Sequence, residues 1–197
     1  MSVIAIWNGR MGADTMGVCS VTGLWLPQQK IHVINNEIAI AVCGESLTPA
    51  VMGPCARALG NLIGYMEYED ETLLLSKEEY AIAPNGETPA YQGDDPINTI
   101  FALFHDTTGL VMTKRGVYIV ENYGILRYDN DLPLVSGSGA PVALTALLWG
   151  ESMETAIEMA TRHGSLARGE AVVVTQRSLN RIKRTKQNRD QTRSMVR

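Results

Sequence analysis

The first apolar run, Ser2-Val3-Ile4-Ala5-Ile6-Trp7, is short and β-branched, which predicts a strand over residues 2–7. It ends at Asn8-Gly9, a dipeptide that suits a two-residue hairpin because both residues tolerate positive φ. A return strand is expected from Arg10 to Thr15. A looser stretch follows through Gly17, Gly23 and Pro27. Lys30 to Ile34 and Glu37 to Val42 predict a second hairpin around Asn35-Asn36, broken by Gly44.

The period then changes. Val51, Met52, Cys55, Leu59, Leu62, Ile63 and Met66 keep helical spacing behind a Ser46 or Thr48 cap, although Gly53-Pro54 interrupts the span. Residues 67–95 are acidic and turn-rich and predict no element. A short helix is expected from Pro96 to His105, then strands Leu110–Lys114 and Val117–Glu121 joined at Arg115-Gly116. Leu134-Val135 leads into Gly137-Ser138-Gly139. Two helices, Pro141–Trp149 and Glu151–His163, precede a last strand, Glu170–Thr175. Strands and helices thus come in runs rather than in strict alternation. That order argues for a layered α+β sandwich of antiparallel sheets and helices, not a doubly wound parallel sheet.

Composition narrows the class. With 197 residues, 45% of them hydrophobic, one domain with a sizeable core is expected. Residues 1–176 form that domain and 177–197 a separate tail. The formal charge of -4 hides an asymmetry. From Arg177 onward eight basic residues face one acid, Asp190, a net +7; the rest of the chain is -11. The tail has no aromatic residue for base stacking and the body is acidic, so nucleic acid is not expected as a partner. No run is long and apolar enough for a membrane span, and the first residues lack a basic flank, so a soluble cytoplasmic protein is expected. Cys19, Cys43 and Cys55 make no CxxC pair, and His32, His105 and His163 have no metal-ligand spacing. No metal or organic cofactor is expected.

Candidate chemistry sits at the start. Trimming of Met1 would leave Ser2 with a free α-amine beside its own hydroxyl. An α-amine titrates near ~8, so part of it is neutral at cellular pH and can take the hydroxyl proton. Asp14 lies across the first hairpin and Lys30 opens the second. A lysine near the nucleophile favours the deprotonated hydroxyl and the neutral amine, and an aspartate keeps that lysine charged and oriented. Gly44 follows a strand, where its N–H could donate to an oxyanion. Ser138, between two glycines, could hydrogen-bond the amine. Each residue taken singly also fits a plain role as turn, cap or solvated charge.

Together they resemble a family. Residues 1–15, Met-Ser-Val-Ile-Ala-Ile-Trp-Asn-Gly-Arg-Met-Gly-Ala-Asp-Thr, are similar to the start of the short proteasome-like N-terminal-nucleophile hydrolases of bacterial and phage genomes. Their larger relatives are the proteasome β-subunit and the peptidase half of the bacterial two-part ATP-dependent protease. In those the aspartate and the catalytic lysine are sixteen positions apart, as Asp14 and Lys30 are here. The stretch before the aspartate is four residues shorter, which keeps side-chain facing because facing alternates with period two. Ala41-Val42-Cys43-Gly44-Glu45 resembles the oxyanion segment, and residues 135–144 the Gly-Ser-Gly-Gly-Pro-Tyr-Ala motif that opens a helix.

The resemblance covers roughly residues 2–60 and 110–175. It implies a four-layer αββα sandwich of two antiparallel sheets flanked by helices. It also implies a peptide or protein substrate, homo-oligomers built as rings, and a separate ATP-dependent unfoldase, since this chain has no GxxxxGK[ST] phosphate loop. The roles it carries over are Ser2 as nucleophile and base, Asp14 and Lys30 as activating pair, Gly44 as oxyanion donor and Ser138 as amine support. One part departs. The family's further aspartate and serine near the α-amine fall on His163 and Leu166, with Ser165 adjacent. That departure supports an alternative, a catalytically impaired proteasome-fold assembly or binding protein. The basic tail exceeds the family pattern.

Overall fold

The computed structural model describes residues 2–18, 22–43, 59, 60, 63, 108–121, 124–128, 131–163 and 167–180. Gly44, Ser165, Leu166, residues 67–95, the helix expected at 96–105, residues 181–197 and most of the helix expected after Ser46 lie outside them.

Two antiparallel sheets form the centre. The first has the order β10-β1-β2-β11, with β1 Ile4–Trp7, β2 Arg10–Asp14, β10 Leu134–Ser136 and β11 Ala171–Thr175. The second runs β5-β6-β7-β8-β9, with β5 Ile31–Ile34, β6 Ile38–Cys43, β7 Thr108–Thr113, β8 Val117–Glu121 and β9 Gly124–Arg127. The hairpins close on Asn8-Gly9 and Asn35-Asn36, all four residues with positive φ, the geometry that matches the twist of the flanking strands.

Alternation along the strands builds two cores. In β1, Ile4 and Ile6 point at the second sheet and pack with Met11, Ala13, Ile31, Ala39, Ala41, Leu110 and Met112. Val3 and Ala5 point the other way, onto α1 (Ala140–Leu148) and α2 (Met153–His163). Gly12 shares that outer face, and a Cβ there would lie 2.7 Å from Met153 Cγ, so the missing side chain lets α2 approach. In β6, Ile38, Ile40 and Val42 are buried on the face away from the first sheet. A strand buried on both faces reads as the continuous run Ile-Ala-Ile-Ala-Val-Cys. Leu59, Gly60 and Ile63 are helical, Leu59 and Ile63 are buried, and a Cβ on Gly60 would meet Ile38 Cδ1 at 2.8 Å. Helix, sheet, sheet, helix is the order of an αββα sandwich.

Four details differ from the sequence expectation. The loose stretch contains a small hairpin, β3 Met16–Val18 with β4 Trp25–Pro27. The strand β9 was not anticipated. The second helix starts at Met153 rather than Glu151, because Ser152 Oγ accepts the Thr155 N–H and so serves as its cap. Leu179, inside the stretch read as tail, is buried in the inter-sheet core. Among the described residues no helix is long and apolar enough to cross a membrane.

Candidate active site

The site forms where β1 begins and β2 ends. The β1–β2 ladder continues one residue past Ile4–Ala13, with Asp14 N donating to Val3 O at 3.2 Å. Val3 N in turn donates to Asp14 Oδ1 at 2.8 Å. The aspartate is therefore fixed one residue from Ser2 by both its backbone and its carboxylate.

Lys30 reaches the same carboxylate from the second sheet. Its Nζ donates to Asp14 Oδ1 and to the carbonyl of Met16, each at 2.6 Å. Asp14 Oδ2 accepts the Arg168 N–H at 3.2 Å. The side chains of Lys30 and Asp14 are 1% and 0% exposed, so this is a fully buried ion pair. Burial pushes the Lys30 ammonium below its ordinary 10.5, while the hydrogen bond and charge of Asp14, and to a smaller degree Cys43, pull the other way. The two carboxylate oxygens accept three donors, two of them backbone N–H groups, which is the pairing a buried charge needs.

Ser2, itself buried, is held from a third element. Ser2 N donates to Ser138 Oγ at 3.2 Å, Ser138 Oγ lies 3.4 Å from Ser2 O as a donor, and Gly139 N donates to Ser2 O at 3.1 Å. Gly137 must be glycine here. Its φ is +100°, and a Cβ would stand 2.2 Å from Ser2 O and 2.9 Å from Cys43 Sγ. The turn from β10 into α1 can therefore lie directly against Ser2.

Ser2, Asp14, Lys30 and Ser138 are thus brought together. Gly44 lies outside the described residues; Cys43 before it ends β6 with its Sγ beside Gly137. His163, at the end of α2, is exposed, and Ser165 and Leu166 lie outside the described residues. Sequence reasoning missed the Met16 carbonyl and the Arg168 N–H, because backbone partners leave no side-chain signature. It also missed the Arg168 guanidinium stacked 4.7 Å over the Trp25 ring, which ties β4 to the chain just after the site. The described residues contain no group of three or more His, Cys, Asp or Glu side chains placed to hold a metal. A hydroxyl, its own main-chain nitrogen and a buried cation are the parts of nucleophilic acyl transfer.

No protein-family model matches the sequence, and no curated protein sequence matches it significantly. Solved structures do. Eukaryotic HslV from Trypanosoma brucei superposes with a TM-score of 0.51 at 11% identity, covering 88% of this chain and 97% of that one. Thiobacillus denitrificans BPH in complex with epoxomicin gives a TM-score of 0.47 at 16% identity over 89% of this chain and 98% of that one. The fold assignment rests on the first of these and on the layer order and strand pairing above. This chain has the N-terminal-nucleophile hydrolase fold of the proteasome-β type.

Proposed function

We propose that the chain is an N-terminal-serine amidohydrolase, a peptidase that works as a homo-oligomer. The observation that carries this reading is the buried Asp14–Lys30 pair hydrogen-bonded to the residue next to Ser2, with Ser138 Oγ on Ser2 N. Removal of Met1 converts the Ser2 nitrogen from an amide into an amine. Ser2 Oγ then attacks the scissile carbonyl, and its proton passes to that amine. The developing oxyanion takes an N–H, for which Gly44 is the candidate. Collapse breaks the C–N bond, the leaving amine takes the proton, and an ester remains on Ser2. Water, giving up a proton to the same amine, hydrolyses the ester and restores the hydroxyl.

Lys30 acts by charge. A cation beside the site lowers the cost of the Ser2 alkoxide and keeps the amine neutral, and Asp14 holds that cation in place. Peptide or protein is the substrate class, and rings with a separate ATP-driven unfoldase are the arrangement that the fold resemblance suggests. Steady-state hydrolysis of fluorogenic peptide amides tests the reading. Protein lacking Met1 should turn over, Ser2→Thr should retain activity, and Ser2→Ala should lose at least ~10³-fold, the scale of removing a nucleophile. Turnover that survives Ser2→Ala sinks the proposal.

A second reading has one observation in its favour. His163 stands, exposed, where the family resemblance expects an aspartate supporting the amine. On this reading the fold serves assembly or binding and the site is impaired. It predicts that Met1 stays attached and that Ser2→Ala changes neither oligomeric mass by analytical ultracentrifugation nor partner capture.

A further inference from the structure

Asp14 ends β2 and Lys30 stands just before β5, and the hairpin β3–β4 lies in the chain between them. This hairpin has little packing of its own. Its strands are three residues each, and a two-stranded hairpin is at best marginally stable alone in water. Leu24 and Leu26, on either side of Trp25, are 61% and 51% exposed, so apolar burial on that face holds it only weakly. A backbone bond ties its base, with Gln28 N donating to Thr15 O at 2.8 Å. Further out Trp25 pairs with Val18, and the Arg168 guanidinium lies 4.7 Å over the Trp25 ring.

Arg168 works at both ends. Its backbone N–H donates to Asp14 Oδ2 at 3.2 Å while its side chain covers Trp25. The backbone after it is pressed on the same stretch. Glu170 N donates to Thr15 Oγ1 at 3.0 Å, and a Cβ on Gly169, at φ +98°, would stand 2.7 Å from Met16 Cγ. Met16 matters because its carbonyl accepts from Lys30 Nζ at 2.6 Å, as Asp14 Oδ1 does at the same distance. A circuit of contacts therefore closes. It runs from Lys30 to Met16, along the hairpin to Trp25, across to Arg168, and through the Arg168 N–H back to the carboxylate that pairs with Lys30. Both acceptors of the ammonium are thus tied to Arg168, Asp14 by the backbone and Met16 through Trp25.

We propose that Arg168 and Trp25 are a positioning pair for Lys30: their contact holds the Met16 carbonyl against the ammonium and so fixes the cation on which the Ser2 reaction depends. This role rests on the reading of Ser2 as a nucleophile, but the placement of Lys30 can be read without turnover. The physical reason lies in the burial of Lys30. A buried ammonium has three N–H donors to satisfy, and one carboxylate oxygen takes only one of them. The Met16 carbonyl takes a second and favours the charged form, so a hairpin that drifts away leaves the cation less well supported. Arginine suits the clamp, because its planar guanidinium stacks on an aromatic face. Arg168 is itself exposed, so its charge is not stranded away from water. Among the described residues, Asp14 and Cys43 are the titratable groups that act on Lys30, and neither is altered by changing Trp25.

Trp25→Leu in the full chain, with Trp25→Phe as its conservative counterpart, tests the pair through two readouts. The first is the titration of Lys30, followed by NMR of its side-chain Cε. Loosening the Met16 carbonyl withdraws an acceptor from the charged form, so Lys30 in Trp25→Leu should titrate at lower pH than in wild type. Trp25→Phe, which keeps a ring under the guanidinium, should restore the wild-type titration. The second readout is hydrolysis of fluorogenic peptide amides. There kcat should fall about two- to fivefold, the scale of an exposed cation–π contact, with KM unchanged. The alkaline limb of the kcat profile should move to lower pH together with Lys30. Arg168→Gln, which keeps the backbone N–H on Asp14, should lower kcat by a similar factor. Circular dichroism melts on each variant separate a displaced Lys30 from lost folding. An unshifted Lys30 titration in folded Trp25→Leu overturns the proposal, whatever turnover does. So does a rise in KM at constant kcat, which would place Trp25 in substrate binding. A Lys30 titration that shifts as expected in a chain without Ser2-dependent turnover supports the pair and sinks the hydrolase reading instead.

Discussion

Lys30 and Asp14 meet in a place where neither charge is reached by water, and each is tolerable there only because of the other. Removing one partner of such a pair typically costs about 3–5 kcal/mol, because the survivor is left charged and buried. Lys30→Met should therefore destabilise the chain by about that much in urea unfolding. Adding Asp14→Asn to the same chain should recover part of the loss, since a neutral amide replaces an orphaned carboxylate. The double mutant is not expected to reach wild type, because Asp14 also accepts Val3 N and Arg168 N. The pH dependence has a definite sign. Burial holds the folded Lys30 below 10.5, so between its folded value and 10.5 the unfolded chain binds the extra proton. Stability of wild type relative to Lys30→Met should rise with pH across that window and level off above it. A flat difference would show that burial leaves the ammonium unshifted. The pairing of these two residues was legible through the family resemblance, in which the aspartate and lysine stand sixteen positions apart; the Met16 carbonyl and Arg168 N–H that complete it were not.

At the scale of elements, two glycines with similar backbone angles make a sharp comparison. Gly137 has φ +100° and Gly150 has φ +92°. Alanine at Gly150 meets nothing within 4 Å, so only the backbone strain of about 1–2 kcal/mol applies. Alanine at Gly137 would drive its Cβ to 2.2 Å from Ser2 O, a clash with backbone that no rotamer relieves. Gly137→Ala should thus destabilise markedly more than Gly150→Ala by chemical denaturation, and should displace Ser2 where Gly150→Ala does not. Equal effects would contradict the close packing of this turn on Ser2. Elements with strong local chemistry were readable: Asn-Gly and Asn-Asn fixed the hairpins, and alternating apolar residues fixed the faces. The hairpin β3–β4 was not. Its strands are three residues each, and Gly17, Gly23 and Pro27 read as punctuation. Its place is set by tertiary contacts, through Met16 O on Lys30 and Trp25 under Arg168.

For the whole molecule, strands and helices arriving in runs pointed to a layered α+β sandwich, and the αββα layer order came from the family resemblance. What local pattern hid was where the packed body stops. Leu179 lies between Ser178 and Asn180, so no periodicity marks it, yet it is buried in the inter-sheet core that also contains Met11 and Met112. Leu179→Ala should cost about 2–5 kcal/mol in urea unfolding, the range for emptying a buried leucine site. An unchanged urea midpoint would contradict its place in the inter-sheet core. The central claim, that Ser2 is an N-terminal nucleophile, is most directly tested by intact-protein mass spectrometry. The native chain would be weighed before and after an electrophile that requires both a terminal hydroxyl and its free α-amine. A terminal nucleophile predicts loss of Met1 and a single covalent adduct that is absent from Ser2→Ala. Retained Met1, or a free Ser2 that never reacts, would contradict it and leave the fold with an assembly or binding role.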